Sequence, residues 1–429
     1  MFIHQPIPVN LPPRTTVVAV SAGHRHSAII DRHGRLFTFG CGLNGQLGLG
    51  DLQRRVDEPQ LVRALAGEKA VSVAAGMSST AVATMRGGVF TFGNGRDGKL
   101  GHGDQHLQLL PKAVEALSDV RITCVAGDRA FGAIDSDGNL FMWGPSEAGQ
   151  CGHGTTAPTM RPRRVELQLP IVAVDCGFAH TAAIDADGGL RLWGSNRYGQ
   201  LGRNKDDTAV VLRAPESHLL RGHMCACSVS CGDNHTMVSV MDEKGGCLVA
   251  IFGDNTAHQL GTEAYLSLSK PKRLDALDGC PIRHVACGAQ HSVVMDDEGK
   301  LMSMGDISRG QLGRVCQPLD TNIGVVRLHA NETSDAIDDD CVDVTSDGSS
   351  ALSPIRDRRR VQMEPNRTPP PMVTYRAYSS FVARHRPVLR AHPFPPHPTC
   401  SRPLLQTLPM TIHAERASTL RSTRSAPLA

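Results

Sequence analysis

The pattern of apolar and polar positions is clearest between residues 164 and 202. Ile171–Cys176 is an apolar, β-branched run, and Gly177-Phe178-Ala179-His180 turns the chain back. Thr181–Ile184 continues to Asp185-Ala186-Asp187-Gly188, where the glycine can take the positive φ of a D-x-x-G turn. Leu190–Trp193 alternates as a third strand, closed by Gly194 and the Gly199–Gly202 loop, and Arg164–Leu167 is a candidate for a fourth. Pro59, Pro111, Pro162, Pro215 and Pro271 recur before such segments, as expected of strand starts or sheet edges. No helical period persists over the window that a helix assignment needs.

This pattern repeats. V-x-x-G-x-x-H-[ST], or a variant of it, places glycines at Gly23, Gly76, Gly127, Gly177, Gly232 and Gly288. A second mark, an aromatic residue or Met followed by Gly, ends at Gly40, Gly93, Gly144, Gly194, Gly253 and Gly305. A third, G-Q-L-G or a close variant, ends at Gly48, Gly101, Gly152, Gly202, Gly261 and Gly313, always eight residues after the second. The first-to-second spacing is 17 except in unit five, where extra residues around Lys244–Leu248 make it 21. Three landmarks in register six times, each unit carrying about four short strands, describe an all-β chain folded as a β-propeller.

These units resemble the repeats of the regulator of chromosome condensation family. The resemblance rests on the G-x-x-H-[ST] turn, the W-G or F-G step, and the loop seen in full at Asn44-Gly45-Gln46-Leu47-Gly48, over about residues 17–318. It implies a seven-bladed propeller. Here six repeats are clear, and a degenerate or truncated seventh is hinted at by Cys341–Leu352, with the segment 1–16 a candidate for ring closure.

Composition divides the chain. All 43 glycines precede Ser353, whereas residues 354–429 hold 13 of the 27 prolines, 13 arginines and three acids. That tail carries a formal +10, which leaves −7 for residues 1–353 within a total of +3. Such a Pro/Arg-rich segment is expected to be disordered, and its charge suits weak, nonspecific contact with nucleic acid or an acidic surface. A change of reading frame or splicing after Ser353 is an equally open origin for the shift. No transmembrane run and no secretion signal are recognised, so an intracellular, cytoplasmic or nuclear location and a monomer are expected.

Several side chains look chemical but have plainer roles. The turn histidines His26, His180, His235 and His291 suit backbone bracing better than catalysis, and Ser79 and Ala130 hold their slot in units two and three. His223, Cys225, Cys227 and Cys231 look like metal ligands. Yet Cys176, Cys231 and Cys287 fill the small-residue slot taken by Ala22, Ala75 and Ala126 in the other units. No metal and no cofactor are therefore expected. The two G-x-G-x-x-G matches, from Gly40 and Gly93, open no helix that could hold a pyrophosphate. Trp143 and Trp193 stand at the aromatic-Gly step, where core packing is expected. That placement argues against the ultraviolet reception which the family achieves with clustered surface tryptophans.

The function expected is therefore non-enzymatic: a protein-interaction scaffold displaying variable turn residues. The candidate contacts are His24, Arg25, Asp128, Arg129, Phe178, Asp233, Asn234 and Gln290. The structural set is Gly23, His26, Gly40, Gly48, Gly177, His180, Trp193, Gly232, His235, Gly288 and His291. The resemblance implies an alternative, guanine-nucleotide exchange on a Ran-like small GTPase, in which turn acids and histidines act beside an inserted wedge. The 202–225 connection is the place with most room for such a wedge.

Overall fold

The computed structural model describes residues 9–204, 210–211, 224–241, 246–262, 265–314 and 323–326. Among them are six antiparallel four-stranded sheets, each paired in simple sequence order. In blade 1 the strands are Val17–Ala22, His26–Asp31, Leu36–Gly40 and Val56–Leu61. Blade 2 comprises Ala70–Ala75, Ser79–Thr84, Val89–Gly93 and Gln108–Ala113. Blade 3 comprises Ile122–Gly127, Phe131–Asp135, Leu140–Gly144 and Thr159–Arg164. Blade 4 has Ile171–Cys176, His180–Asp185, Leu190–Ser195 and the short Val210–Val211. Blade 5 has Cys225–Cys231, His235–Met241, Cys247–Gly253 and Leu268–Arg273. Blade 6 has Ile282–Cys287, His291–Asp296, Leu301–Gly305 and Gly324–Val326. First strands of successive blades pack against one another, so they stand innermost. Cys341–Leu352, the tail 354–429, His223, Pro215 and most of the 202–225 connection lie outside the described residues.

One assignment changes. The expected fourth strand of unit four, Arg164–Leu167, is not part of blade 4. Its Arg164 ends the outer strand of blade 3, pairing with Phe141, and the fourth strand of blade 4 is Val210–Val211, paired with Ser195 and Gly194. The repeating unit thus runs from the histidine turn forward through the third mark to a proline-bearing outer strand. Pro59, Pro111, Pro162 and Pro271 sit inside these outer strands, at the irregularity where the register to the third strand shifts. An edge strand with a bulge has no ladder donor to lose there, so proline is tolerated.

The apolar core lies between blades. Five buried clusters each draw on two neighbouring blades. Phe92, Trp143, Trp193 and Phe252, each the residue before the second-mark glycine, are fully buried in four of them. The D-x-x-G turns are braced as their sequence suggests: Asp185 Oδ1 accepts the N–H groups of Asp187 and Gly189, and Gly188 has φ +79°.

The histidine turns join one blade to the next. Thr236 Oγ1 donates to the carbonyl of Gln200, 2.9 Å away, so its lone pair must accept from His180 Nε2–H at 2.9 Å. The same chain links His26 to Thr80 and the Gln46 carbonyl, and His235 to Ser292 and the Gln259 carbonyl. Each histidine is thereby held as its Nε2–H tautomer, and burial holds all three imidazoles down to about 3. The Gln side chains work in the same loops, Gln46, Gln150, Gln200 and Gln259 each accepting the N–H two residues earlier.

Blades 2 and 3 depart from the rule together. With Ser79 in the histidine slot, the hydroxyl position of the next blade is Phe131, whose ring lies against Gly76 much as His26 lies against Gly23. An aromatic ring reaching back from blade 3 fills the volume that an imidazole occupies elsewhere. Blade 3 has Ala130 in the slot, and Thr181 in blade 4 keeps only the loop end of the chain, donating to the Gln150 carbonyl.

Candidate functional site

The first-mark glycines seldom serve turn dihedrals. Gly177, for example, has no positive φ, but a Cβ there would collide with the Gly232 carbonyl and the His180 ring. The glycine lets the backbones of neighbouring blades close around the axis, and the residue that follows it is carried to the inner rim. His24 N–H donates to the Gly76 carbonyl, Met77 N–H to that of Asp128, and Asp233 N–H to that of Ala289. These residues, with Phe178, form an inner series at one end of the ring.

The next residue of each turn forms an outer series. The carbonyls of Arg25, Asn234 and Gln290 accept the N–H groups of Cys41, Asp254 and Asp306. Each of these donors follows a second-mark glycine, so the turns and the third-to-fourth-strand loops open on the same face. Arg25 and Gln290 are exposed there and Asn234 is half-buried.

Within the inner series, three of the sequence-derived candidates converge. His24, Asp128 and Asp233, from blades 1, 3 and 5, bring one ligand atom each to within 4.8 Å of one another. His24 Nε2 lies 3.7 Å from Asp128 Oδ1, and the Asp128 side chain is fully buried while that of His24 is 25% exposed. A second pair meets beside it. The Arg129 guanidinium stands 4.5 Å above the Phe178 ring and 3.3 Å from the Glu147 carboxylate. Lys99 is buried at the glutamine slot of blade 2; burial, then the nearby Arg129 charge, lowers its pKa.

Met77, Glu147 and Lys99 escaped the sequence reading. Met77 shares the His24 position but carries no chemistry to flag it. Glu147 lies in a loop of no fixed pattern. Lys99 was absorbed into a structural mark. The same face also exposes apolar side chains from its loops: Leu43, Leu52, Leu107, Tyr198, Tyr265 and Leu266, the last 74% exposed. His258 lies beneath Tyr265, its ring edge-on at 3.9 Å, and takes φ +59° where the five corresponding loops have glycine at Gly45, Gly98, Gly149, Gly199 and Gly310.

The cysteine group separates. Cys225 and Cys227 are exposed, whereas Cys231 is buried with its Sγ toward the Asp175 carbonyl. Burial raises the Cys231 and Cys176 thiols well above the ordinary range and takes that of Cys287 to about 12. These are packed, protonated thiols.

A family model described as the RCC1-like domain matches residues 3–322. The chain belongs to the RCC1-like domain family. This is the regulator of chromosome condensation family that the repeat marks resemble. The ultraviolet-B receptor UVR8 of Arabidopsis thaliana is 33% identical over 309 residues, 71% of this chain and 68% of the receptor. The mouse X-linked retinitis pigmentosa GTPase regulator is 35% identical over 309 residues, 69% of this chain but 29% of that protein. The human E3 ubiquitin-protein ligase HERC2 is 32% identical over 281 residues, 64% of this chain and 6% of the ligase. The chain thus spans only a small part of some of its relatives. Among solved structures, Saccharomyces cerevisiae Prp20p superposes with a TM-score of 0.64 at 22% identity, covering 73% of this chain and 78% of that one. Prp20p has been described as binding Gsp1p and histones, and at this identity the likeness shows the fold alone. Among the described residues, no helix of this RCC1-like chain is long and apolar enough to cross a membrane.

Proposed function

We propose that this RCC1-like ring is a protein-interaction scaffold whose working surface is the face bearing the histidine turns and the third-to-fourth-strand loops. One observation carries the reading. The buried histidines, hydroxyls and glutamines are used between blades, whereas His24, Asp128, Asp233, Arg129 and Phe178 gather at one end of the axis within a rim of exposed Leu and Tyr. A centre of arginine, aromatic and carboxylate groups bordered by apolar side chains has the composition of a binding surface rather than of a reaction centre. The reading implies an intracellular partner and no enzymatic role for the ring. The test is photo-crosslinking from a probe amino acid at Arg25, Gln290 or Tyr265 in cells, against a probe at Met85 in the second-to-third turn of blade 2. Partners captured from the first three sites and lost on Arg129→Ala support the reading; equal capture from Met85 overturns it.

The carboxylates and histidine at the axis also favour a second reading, nucleotide exchange on a Ran-like GTPase. Prp20p, with its reported binding to Gsp1p, is a relative in fold. Substoichiometric protein should then accelerate release of a fluorescent GDP analogue from Ran, with Asp233→Ala weakening the effect. No acceleration removes this reading and leaves the scaffold.

A further inference from the structure

We propose that His24, Asp128 and Asp233 form a divalent-metal site on the ring axis, taking a mid-series transition ion such as Zn²⁺. The site does not depend on the scaffold reading, and its test is separate. Three non-adjacent blades each supply one potential ligand, an imidazole nitrogen and two carboxylate oxygens, all within 4.8 Å of one another. Two ligands of one ion, bound at about 2.1 Å each, lie roughly 3 to 4 Å apart depending on the angle between them. The 3.7 Å ion-pair distance between His24 Nε2 and Asp128 Oδ1 falls in that range.

Electrostatics point the same way. Two carboxylates this close, one of them on a fully buried side chain, repel one another in a medium where the repulsion is poorly screened. A dication bound among the three side chains would relieve that repulsion. The position is also held by backbone, through His24 N–H to the Gly76 carbonyl and Asp233 N–H to the Ala289 carbonyl. The first-mark glycines that allow this close approach thus preorganise the ligands.

The donor set chooses the ion. Calcium and magnesium prefer shells made of oxygen alone, and copper(I) prefers thiolates. One nitrogen and two carboxylates suit Zn²⁺ and its probe Co²⁺, with water completing the shell.

The experiment titrates Co²⁺ into the full chain after chelator treatment and dialysis at pH 7.5, following visible d–d absorption. One equivalent should bind, without the sulfur-to-metal charge-transfer band that Cys225 or Cys227 ligation would bring. Zn²⁺ should displace the ion, and equimolar Ca²⁺ should not. Affinity should fall as pH drops, because protons compete with the metal for its ligands. His24→Gln and Asp233→Asn should each weaken binding by about tenfold or more. Neither replaces the fully buried Asp128, and circular dichroism checks that both variants stay folded. Absence of binding, a thiolate band, displacement by Ca²⁺, or affinity unchanged in both folded variants would overturn the site.

Discussion

Replacing Thr236 by Val tests the inter-blade chains most directly, because the protein contains its own control at Thr181. Both hydroxyls lie at the same repeat position, fully buried, and each donates to the carbonyl of a third-mark loop. Valine matches threonine in shape, so each change removes a hydroxyl with little loss of packing. At Thr236 the removal strands two groups: the His180 Nε2–H loses its acceptor and the Gln200 carbonyl loses its hydroxyl donor. An unsatisfied buried polar group costs about 1–3 kcal/mol, so stranding two makes Thr236→Val worth roughly 2–6 kcal/mol. At Thr181 no histidine is involved, since Ala130 fills the slot. The Gln150 carbonyl also keeps a second donor, Trp193 Nε1 at 2.8 Å. Thr181→Val should therefore cost about 1 kcal/mol, the net value of one ordinary hydrogen bond. Urea denaturation followed by tryptophan fluorescence and by far-ultraviolet circular dichroism measures both; coincidence of the two probes checks that one transition is being read. Thr236→Ser should restore most of the loss. Nitrogen-15 spectra should show His180 protonated at Nε2 and bare at Nδ1. Equal losses for the two valine variants, or a His180 proton on Nδ1, would refute the chain as the source of the coupling.

Two further outcomes follow from the same framework. Gly177→Ala should destabilise severely or prevent folding, because its Cβ has nowhere to go, whereas Gly67→Ala, with φ +99° and nothing within 4 Å, should cost only about 1 kcal/mol of backbone strain in thermal melts. Acid should unfold the ring. The imidazoles of His26, His180 and His235 are held to about 3 and that of His291 to about 4 by burial. The folded state then binds fewer protons than the unfolded chain, so stability present above the ordinary histidine pKa of about 6.5 is lost as pH falls toward 4. Asp175 works in the opposite direction: burial pushes its carboxyl up to about 7 despite three donors, so its contribution is lost as pH rises. Four histidines against one aspartate leave acid as the damaging side, and a denaturation midpoint that rose between pH 7 and 5 would contradict this.

Much of the architecture was legible because the signals were local. Strand, turn, strand and glycine loop follow one another within each repeat, and Trp143 and Trp193 could be placed in the core from their step alone. The fourth strand was misassigned because outer strands such as Thr159–Arg164 are polar, carry proline and show no clear alternation of buried and exposed positions. They have a ladder partner on one side only, so little in their composition is constrained. Chain adjacency then ties them to the following repeat. The candidate site was half legible. His24, Asp128 and Asp233 could be named as variable turn residues, but their meeting depends on alternate blades converging on an axis, a relation that no sequence spacing encodes. Glu147 and Met77 were invisible for want of any distinguishing pattern.

The pairing of Ser79 with Phe131 bears on how such a ring can change its number of blades. A unit that has both a turn histidine and a hydroxyl at the following position can stand next to any other unit of that kind, since each supplies the complement its neighbours require. Whole repeats of this type are interchangeable parts, and duplication or loss of one leaves every junction intact. Blade 3 has left that pool. Its Phe131 ring occupies the space that a preceding imidazole would need, so it fits only behind a blade whose histidine has been replaced by something small. Blades 2 and 3 must therefore be copied, lost or transplanted as a pair, and that junction fixes the order of the ring where the histidine-bearing junctions leave it free.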